Sequence, residues 1–120
     1  MLQRLAEDFE YSELLDKAAQ CSDATEQLAY VAAFTVSSYA TSSIRTAKPF
    51  NPLLGETFEL VRPDRGFRFV AEKVVHHPTV IAAAAEGRGW RFEGDADVRS
   101  KFWGRSIELT PVGVLTVTFD

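Results

Sequence analysis

The amino-acid sequence predicts an α+β fold in which two N-terminal helices precede an antiparallel β-meander. Three observations predict it: apolar residues at helical spacing near the start, a following run of small apolar residues, and alternating segments separated by turn residues from position 57 onward. The chain has 120 residues, of which 46% are hydrophobic, so it is the size of one domain and able to bury a core.

The first predicted helix covers residues 2–15 and is amphipathic. Its apolar residues recur at roughly helical spacing, and acidic residues lie between them. The apolar residues are Leu2, Leu5, Phe9, Leu14 and Leu15. We expect this apolar stripe to pack on the core and the acidic residues to form a solvated face.

A second helix is predicted from Ala24 to about Tyr39. Ser22 or Asp23 is suited to cap its N-terminus, and Glu26 follows Asp23 by three residues, as in a capping box. The segment is small, apolar and poor in charge, which predicts a helix that is buried on most sides.

The second half of the chain predicts strands separated by turns that contain glycine or proline. The predicted strands cover residues 57–61, 67–75, 80–85, 90–93, 102–109 and 114–119. We expect the last two strands to form a hairpin around a turn at residues 111–113. The polar segment 94–99 is predicted to be a loop or an edge.

Composition excludes several classes of protein. The formal net charge of −4 argues against a nucleic-acid binder that depends on overall positive charge. Cys21 is the single cysteine, so no internal disulfide is possible, which fits a reducing compartment. We find no signal peptide and no apolar stretch long enough to span a bilayer. The sequence therefore predicts a soluble intracellular domain.

The segment from Lys48 to Glu56, which reads KPFNPLLGE, contains two prolines that exclude regular helix and favour an ordered loop. Such a loop presents the backbone N–H groups of Phe50 and Asn51 in fixed directions. Lys48 adds an ammonium group suited to phosphate. Glu56 is able to accept hydrogen bonds from ligand hydroxyls or to pair with Lys48. These features predict an anion-binding loop.

The same segment has a second interpretation, and the pattern taken alone favours it. In this alternative the segment is a rigid connector, and the apolar side chains of Phe50, Leu53 and Leu54 plug the core.

His76 and His77 stand at the end of a predicted strand, directly before Pro78. Adjacent strand residues point to opposite faces, but the proline favours a turn in which both imidazoles converge on one anion. In the alternative, His76 and His77 are simply two polar residues at the end of a strand. The histidine pair taken alone favours this alternative. Cys21 and the scattered carboxylates lack the spacing of a zinc site. No Gly-x-Ser-x-Gly motif supplies a nucleophile for histidine, so the sequence predicts no enzyme.

Taken together, the two motifs resemble the lipid-headgroup signature of the oxysterol-binding protein family. Lys48–Glu56 is similar to its KPFNPLLGE block at every position, and Glu72–Thr79 (EKVVHHPT) is similar to its EQVSHHPP fingerprint. The chain is identified as an internal fragment of the family's ligand-binding domain, closest to the founding oxysterol-binding protein and its near relatives. The resemblance covers residues 1–120, with 1–43 as a helical part and 44–120 as signature loop and meander.

The resemblance implies a large, incomplete antiparallel β-barrel that holds one lipid at a time beneath an N-terminal lid. The resemblance also implies that phosphatidylinositol 4-phosphate is exchanged against a sterol or another lipid at membrane contact sites. This implies a cytosolic protein, peripheral at contacts between endoplasmic reticulum and Golgi or other membranes, with a transient membrane surface as partner. It implies no cofactor, no metal and no catalysed reaction.

The resemblance also assigns residues to the lipid headgroup. It implies that Lys48, Pro49, Phe50 and Asn51 hold the headgroup, with Phe50 acting mainly through its backbone. It implies that His76 and His77 contact the 4-phosphate, whose field favours protonated imidazoles. Glu56 is a weaker candidate, for the inositol hydroxyls.

Three positions depart from the fingerprint: Lys73 replaces Gln, Val75 replaces Ser and Thr79 replaces Pro. Lys73 either adds positive charge or faces solvent, Val75 removes a hydroxyl beside the histidines, and Thr79 is expected to loosen the turn. None of these changes deletes a predicted phosphate contact.

The family's lid and its C-terminal headgroup contacts are expected to lie outside this chain. A meander of about six strands is too small to enclose a long lipid, because ligand-holding barrels have about eight. The alternative function is therefore a truncated, non-transporting module that senses phosphoinositide or acts as a scaffold. A hydrolase that uses His76 or His77 is a third class, against which the missing nucleophile motif counts.

Overall fold

The protein is described here by a computed structural model that covers residues 1–44 and 47–120. In these two segments, three α-helices and a 3₁₀ helix precede a six-stranded antiparallel sheet. The helices are α1 (Leu2–Glu7), α2 (Glu13–Gln20) and α3 (Ala24–Ser37), and the 3₁₀ helix is Ser38–Ile44. The strands are β1 (Thr57–Arg62), β2 (Phe67–Val75), β3 (Val80–Gly87), β4 (Trp90–Phe102), β5 (Ile107–Pro111) and β6 (Leu115–Phe119). The α+β prediction is confirmed.

The first predicted helix is divided into α1 and α2. Between them, i→i+3 hydrogen bonds replace the α-helical pattern: Phe9 N donates to Ala6 O, and Ser12 N donates to Phe9 O. Of the two predicted caps of α3, Ser22 and Asp23, the structure shows Asp23. Its side chain accepts a hydrogen bond of 2.9 Å from the backbone N–H of Glu26.

The prediction that the second helix is buried on most sides is wrong. Phe34 is the buried residue of α3, whereas Leu28 and Val36 are about two-thirds exposed, at 66% and 65%. The helix packs on α2 and directs Phe34 at the core, and its remaining faces are not covered by the described parts of the chain. Low charge in a helix therefore did not indicate burial here.

The sheet follows the order β1-β2-β3-β4, and β4 pairs with both β5 and β6. Residues 94–99 were predicted as a loop or edge, which is wrong, because they lie inside the thirteen-residue strand β4. The predicted hairpin between the last two strands is also wrong. Residues 107–111 pair with 98–102, and residues 115–119 pair with 90–94, so β5 and β6 lie end to end along β4.

The predicted turn at residues 111–113 instead continues alongside β4. Val112 N donates to Asp97 O at 2.9 Å, and Asp95 N donates to Val114 O at 3.3 Å. Gly113 passes so close to β4 that an added Cβ would lie 1.9 Å from Asp95 O, so only glycine fits there. Pro111 and Gly113, which suggested a hairpin turn, lie instead where the chain passes from β5 to β6 close alongside β4.

The core is an aromatic cluster around Phe9 on one face of the sheet. Phe9 is 2% exposed and contacts the rings of Phe34, Phe67, Phe69, Trp90 and Phe92. Along β2, buried and exposed residues alternate, as expected for a sheet with one face covered. Within residues 1–44 and 47–120 the sheet is open and does not close into a barrel. None of the helices in the described residues has the length and apolar character needed to cross a membrane.

Candidate functional site

Two predicted motifs meet at the C-terminal end of β2. We name residues 48–56 the signature loop and residues 76–79 the histidine turn. The signature loop is fixed to β2 through backbone hydrogen bonds: Gly55 N donates to Lys73 O at 2.9 Å, and Lys73 N donates to Glu56 O at 3.1 Å. The histidine turn directly follows β2, so one strand end carries both motifs.

The apolar side chains of the signature loop do not fill the core. Phe50 is 95% exposed, and Leu53 and Leu54 are also exposed, whereas Pro52 is the buried residue of the loop. The alternative in which Phe50, Leu53 and Leu54 plug the core is therefore wrong for the described residues.

The charged residues of the signature loop have different surroundings. One carboxylate oxygen of Glu56 accepts a hydrogen bond of 2.8 Å from Leu53 N, which closes the loop on itself. Lys48 is exposed, and no ion pair joins it to Glu56 in the described residues. Lys48 thus lies at the solvent side of the site, and Glu56 retains one oxygen for another partner.

The two imidazoles of the histidine turn lie side by side. The ring centroids of His76 and His77 are 4.2 Å apart with an angle of 53° between the planes, and both residues are exposed. The turn contains a cis peptide bond before Pro78, and Thr79 Oγ1 donates a long hydrogen bond of 3.4 Å to His76 O. Thr79 therefore adds a contact within the turn, and the expected loosening relative to proline stays a prediction.

Lys73 was not among the predicted site residues, and the structure places it between the two motifs. Its side chain is 0% exposed. Its Nζ lies 3.2 Å from Asn51 Oδ1, 2.8 Å from Pro52 O and 2.8 Å from His76 Nδ1. The alternative in which Lys73 faces solvent is wrong. The alternation of β2 held the signal, because Phe69, Ala71 and Lys73 share one face.

The electrostatics of the site follow from this contact. The Lys73 ammonium, then the neighbouring His77 ring and then desolvation lower the pKa of His76 below its ordinary value of 6.5. The lowered pKa of His76 favours the neutral imidazole. The protonation by bound phosphate that the family resemblance implies stays a prediction for the complex. Within residues 1–44 and 47–120, no group of three or more His, Cys, Asp or Glu is placed to hold a metal ion.

An apolar cleft opens at the same end of the sheet. It has a volume of about 260 Å³ and is lined by core residues such as Phe9 and Phe69 together with residues 94–98 of β4. Val80 pairs with both Val75 and Asp97, so this part of β4 lies two strands from the histidine turn. A larger cleft of about 510 Å³ lies between α3 and β6. The smaller cleft therefore lies two strands from the polar site.

The model of the protein family described as oxysterol-binding protein matches residues 1–120 of this chain. The chain belongs to the oxysterol-binding protein family. It is 57% identical over 122 residues to oxysterol-binding protein-related protein 2B of Arabidopsis thaliana, covering 99% of this chain and 18% of that protein. It is 53% identical over 118 residues to human oxysterol-binding protein-related protein 3, covering 98% of this chain and 13% of that protein. The chain thus spans less than a fifth of these relatives.

Solved structures of the family share this fold. A crystal structure of the Osh1 ORD domain in complex with cholesterol has a TM-score of 0.90 at 53% identity, covering 99% of this chain and 28% of that one. A crystal structure of the Osh3 ORD in complex with PI(4)P from Saccharomyces cerevisiae has a TM-score of 0.81 at 46% identity, covering 98% of this chain and 32% of that one. The open sheet of this chain matches a part of the ORD β-barrel.

Proposed function

We propose that the chain forms part of a lipid-transfer domain that binds phosphatidylinositol 4-phosphate at the C-terminal end of β2 and exchanges it against a sterol or another lipid. One observation carries this proposal: Lys73 Nζ contacts Asn51 and Pro52 of the signature loop and also His76, so the two motifs lie together although they are distant in sequence. The relatives crystallised with cholesterol and with PI(4)P, at 53% and 46% identity, support the choice of lipids.

Each predicted headgroup residue has a proposed part in this site. Lys48 offers a mobile, exposed ammonium to the phosphate, and the backbone N–H groups of Phe50 and Asn51 donate to it from a loop stiffened by its prolines. His76 and His77 donate ring N–H groups, which form strong hydrogen bonds to an anion.

Two further residues have weaker roles in this proposal. Glu56 has one carboxylate oxygen engaged by Leu53 N, so it offers its second oxygen to an inositol hydroxyl. Pro49 fixes the backbone between Lys48 and Phe50 and makes no polar contact through its ring.

The apolar part of the lipid is proposed to enter the cleft beside the site. This cleft is lined by Leu5, Phe9 and Phe69 and reaches the sheet end that carries the histidine turn. Burial of apolar surface stabilises such a complex by roughly 25 cal/mol for each Å² removed from water. We propose that the domain reaches its lipids as a cytosolic protein, transiently bound to membranes at contacts between endoplasmic reticulum and Golgi or other organelles. It catalyses no reaction, requires no cofactor and binds no nucleic acid.

A second candidate is a module that senses phosphoinositide, or acts as a scaffold, without transporting lipid. The observation that favours it is the open six-stranded sheet, which does not surround a ligand within the described residues. Both candidates share the headgroup site and differ in whether the lipid leaves the membrane.

The test uses the 120-residue chain with liposomes that contain fluorescent phosphatidylinositol 4-phosphate. Sedimentation measures binding, release of the fluorescent lipid into the supernatant measures extraction, and circular dichroism of the same sample measures folding. Matched liposomes contain phosphatidylinositol, which lacks the 4-phosphate, or phosphatidylserine at equal surface charge.

The outcomes separate the candidates. Extraction that requires the 4-phosphate supports the carrier, and binding without extraction supports the sensing module. A folded chain that binds phosphatidylserine liposomes as well as phosphoinositide liposomes contradicts both, because attraction to charge alone then explains the result.

A further inference from the structure

Lys73 is a buried cation that has no carboxylate partner among the described residues. No aspartate or glutamate among the described residues forms an ion pair with it, although the chain has eight other ion pairs in those segments. A buried charge is costly unless it is well hydrogen-bonded. The surroundings of Lys73 must therefore satisfy its ammonium with neutral acceptors.

The acceptors around Lys73 match the ammonium in number. A protonated lysine has three N–H donors and no acceptor. The side-chain oxygen of Asn51, the carbonyl oxygen of Pro52 and Nδ1 of His76 are three partners at 2.8–3.2 Å. All three donors are used only if His76 Nδ1 accepts. Nδ1 then carries no proton, and the proton of the neutral ring is on Nε2.

We propose that Lys73 is a positioning residue that holds His76 as the Nε2–H tautomer and ties the histidine turn to the signature loop. Its contacts reach both motifs through the side chain, and its backbone N–H and C=O bind Glu56 and Gly55 of the loop. The role of this arrangement in binding a phosphorylated headgroup rests on the function proposed above.

This arrangement directs a donor toward the anion site. With Nδ1 turned to Lys73, the Nε2–H lies on the opposite side of the exposed His76 ring and is available to an external acceptor. The lowered pKa of His76 agrees with a ring that faces an ammonium. Since no carboxylate compensates Lys73 among the described residues, its charge also attracts an anion to the histidine turn.

A glutamine at this position acts differently. Glutamine, which stands here in the similar EQVSHHPP motif, has two N–H donors and an acceptor oxygen. It has no charge, and its amide is able to accept from the ring as well as to donate to it. Glutamine therefore does not impose one tautomer on His76, and lysine at position 73 distinguishes this chain from that motif.

The first arm of the test measures the His76 ring directly by ¹⁵N NMR on the 120-residue chain, without lipid. In the wild type we expect the Nε2–H tautomer and a His76 pKa below 6.5. In Lys73→Met we expect mixed tautomers and a pKa closer to 6.5, because the neighbouring charge and donor are gone. Lys17→Met, an exposed lysine on α2, is the matched control and is expected to change neither quantity.

The second arm measures binding to liposomes that contain phosphatidylinositol 4-phosphate. We expect Lys73→Met to bind about tenfold more weakly than Lys17→Met, because it lacks the ammonium that orients His76 toward the phosphate. If Lys73→Met does not fold, Lys73→Gln replaces it in both arms. Glutamine retains two donors that support folding, but it has no charge and does not impose one tautomer on His76.

The two arms fail in different ways. An Nδ1–H tautomer in the wild type, or an unchanged tautomer and pKa in the folded variant, overturns the positioning role of Lys73. A wild type that shows the expected tautomer but binds no phosphoinositide supports that role and contradicts the proposed function. Equal binding by wild type and Lys73→Met, with a changed tautomer, overturns the link between tautomer and headgroup.

Discussion

Phe9 and Lys73 are both buried, and each joins segments that are distant in sequence. Phe9 lies against five aromatic rings at centroid distances of 5.0–6.1 Å. Lys73 lies against three polar acceptors at 2.8–3.2 Å. The first arrangement removes apolar surface from water, and the second holds a charge at the edge of a site. Burial alone therefore does not separate a stabilising residue from a site residue.

A single strand connects the two regions. Phe69 of β2 contacts Phe9 with a centroid distance of 5.5 Å, and Lys73 follows on the same face of the strand. The apolar part of this face stabilises the fold, and its last residue belongs to the site. Substitutions in the apolar part should therefore change the free energy of unfolding, and substitutions in the site should change lipid binding.

The largest expected effect is on the apolar side. Phe9→Ala removes a buried ring from the centre of the core, so we expect a loss of about 3–5 kcal/mol in the free energy of unfolding. Urea denaturation followed by circular dichroism measures it. Leu28→Ala, at a residue of α3 that is 66% exposed, is the control and should change stability by less than about 0.5 kcal/mol. Comparable losses in the two variants would contradict the assignment of the core.

The next effect is on the polar side and concerns binding. The double variant His76→Ala with His77→Ala removes two exposed rings, so we expect an unchanged fold. Loss of charge-assisted hydrogen bonds is expected to weaken binding to phosphatidylinositol 4-phosphate liposomes on the order of 10- to 100-fold. Sedimentation measures binding, and circular dichroism measures folding.

Its control removes positive charge elsewhere. Lys101→Ala with Arg105→Ala deletes two exposed cations of the β4–β5 connection region. If charge alone attracted the chain to liposomes, this variant would lose more binding than the histidine variant. Unfolding of the histidine variant would instead support the interpretation of His76 and His77 as purely structural residues.

A smaller effect concerns Asp8, a half-buried carboxylate, compared with the exposed carboxylate of Asp64. Asp8 is half-buried beside Phe9, and burial, with repulsion from Glu7, raises its pKa from 3.8 to about 6. The stability linked to this group is fully present below pH 3.8 and is lost as the pH rises through 6. Asp8→Asn should therefore stabilise the fold at pH 7 by on the order of 1 kcal/mol, after allowance for solvent screening.

Thermal unfolding at two pH values measures the effect of Asp8→Asn. The gain should be present at pH 7 and absent below pH 3.8, where both states of the wild type are protonated. Asp64→Asn is the matched control: its exposed carboxylate pairs with Arg62, which holds its pKa at about 2, so no gain at pH 7 is expected. A gain from Asp8→Asn that persists at low pH would show that charge is not its cause.

Much of this fold was predictable because its signals are local. The cap at Asp23 and the span of β2 follow from neighbouring residues, and the structure confirms them. The course of residues 107–119 was not predictable, because pairing partners are set by the whole sheet. The exposure of α3 was also missed, since a helix is covered only where other elements reach it.

The candidate site shows the same limit. The two motifs were visible as residue patterns, and Pro78 indicated a turn that brings the imidazoles together, as the structure shows. The contact between Lys73 and Asn51 spans twenty-two positions in the sequence and depends on the loop folding back onto β2. The alternation of β2 placed Lys73 on the inner face, but no local pattern shows which atoms satisfy it.

The smallest expected effect concerns the most exposed aromatic ring of the site. Phe50 is 95% exposed, and its proposed contact is the backbone N–H, so Phe50→Ala should change the free energy of unfolding by no more than about 0.5 kcal/mol. Its binding to phosphoinositide liposomes should equal that of the wild type. Phe92→Ala, the same substitution at an 8% exposed residue of the core, is the control and should lose about 3–5 kcal/mol of stability. Weaker binding by a fully folded Phe50→Ala variant would move the contact from the backbone to the ring, and the signature loop would then act through an apolar surface like that of the Phe9 core.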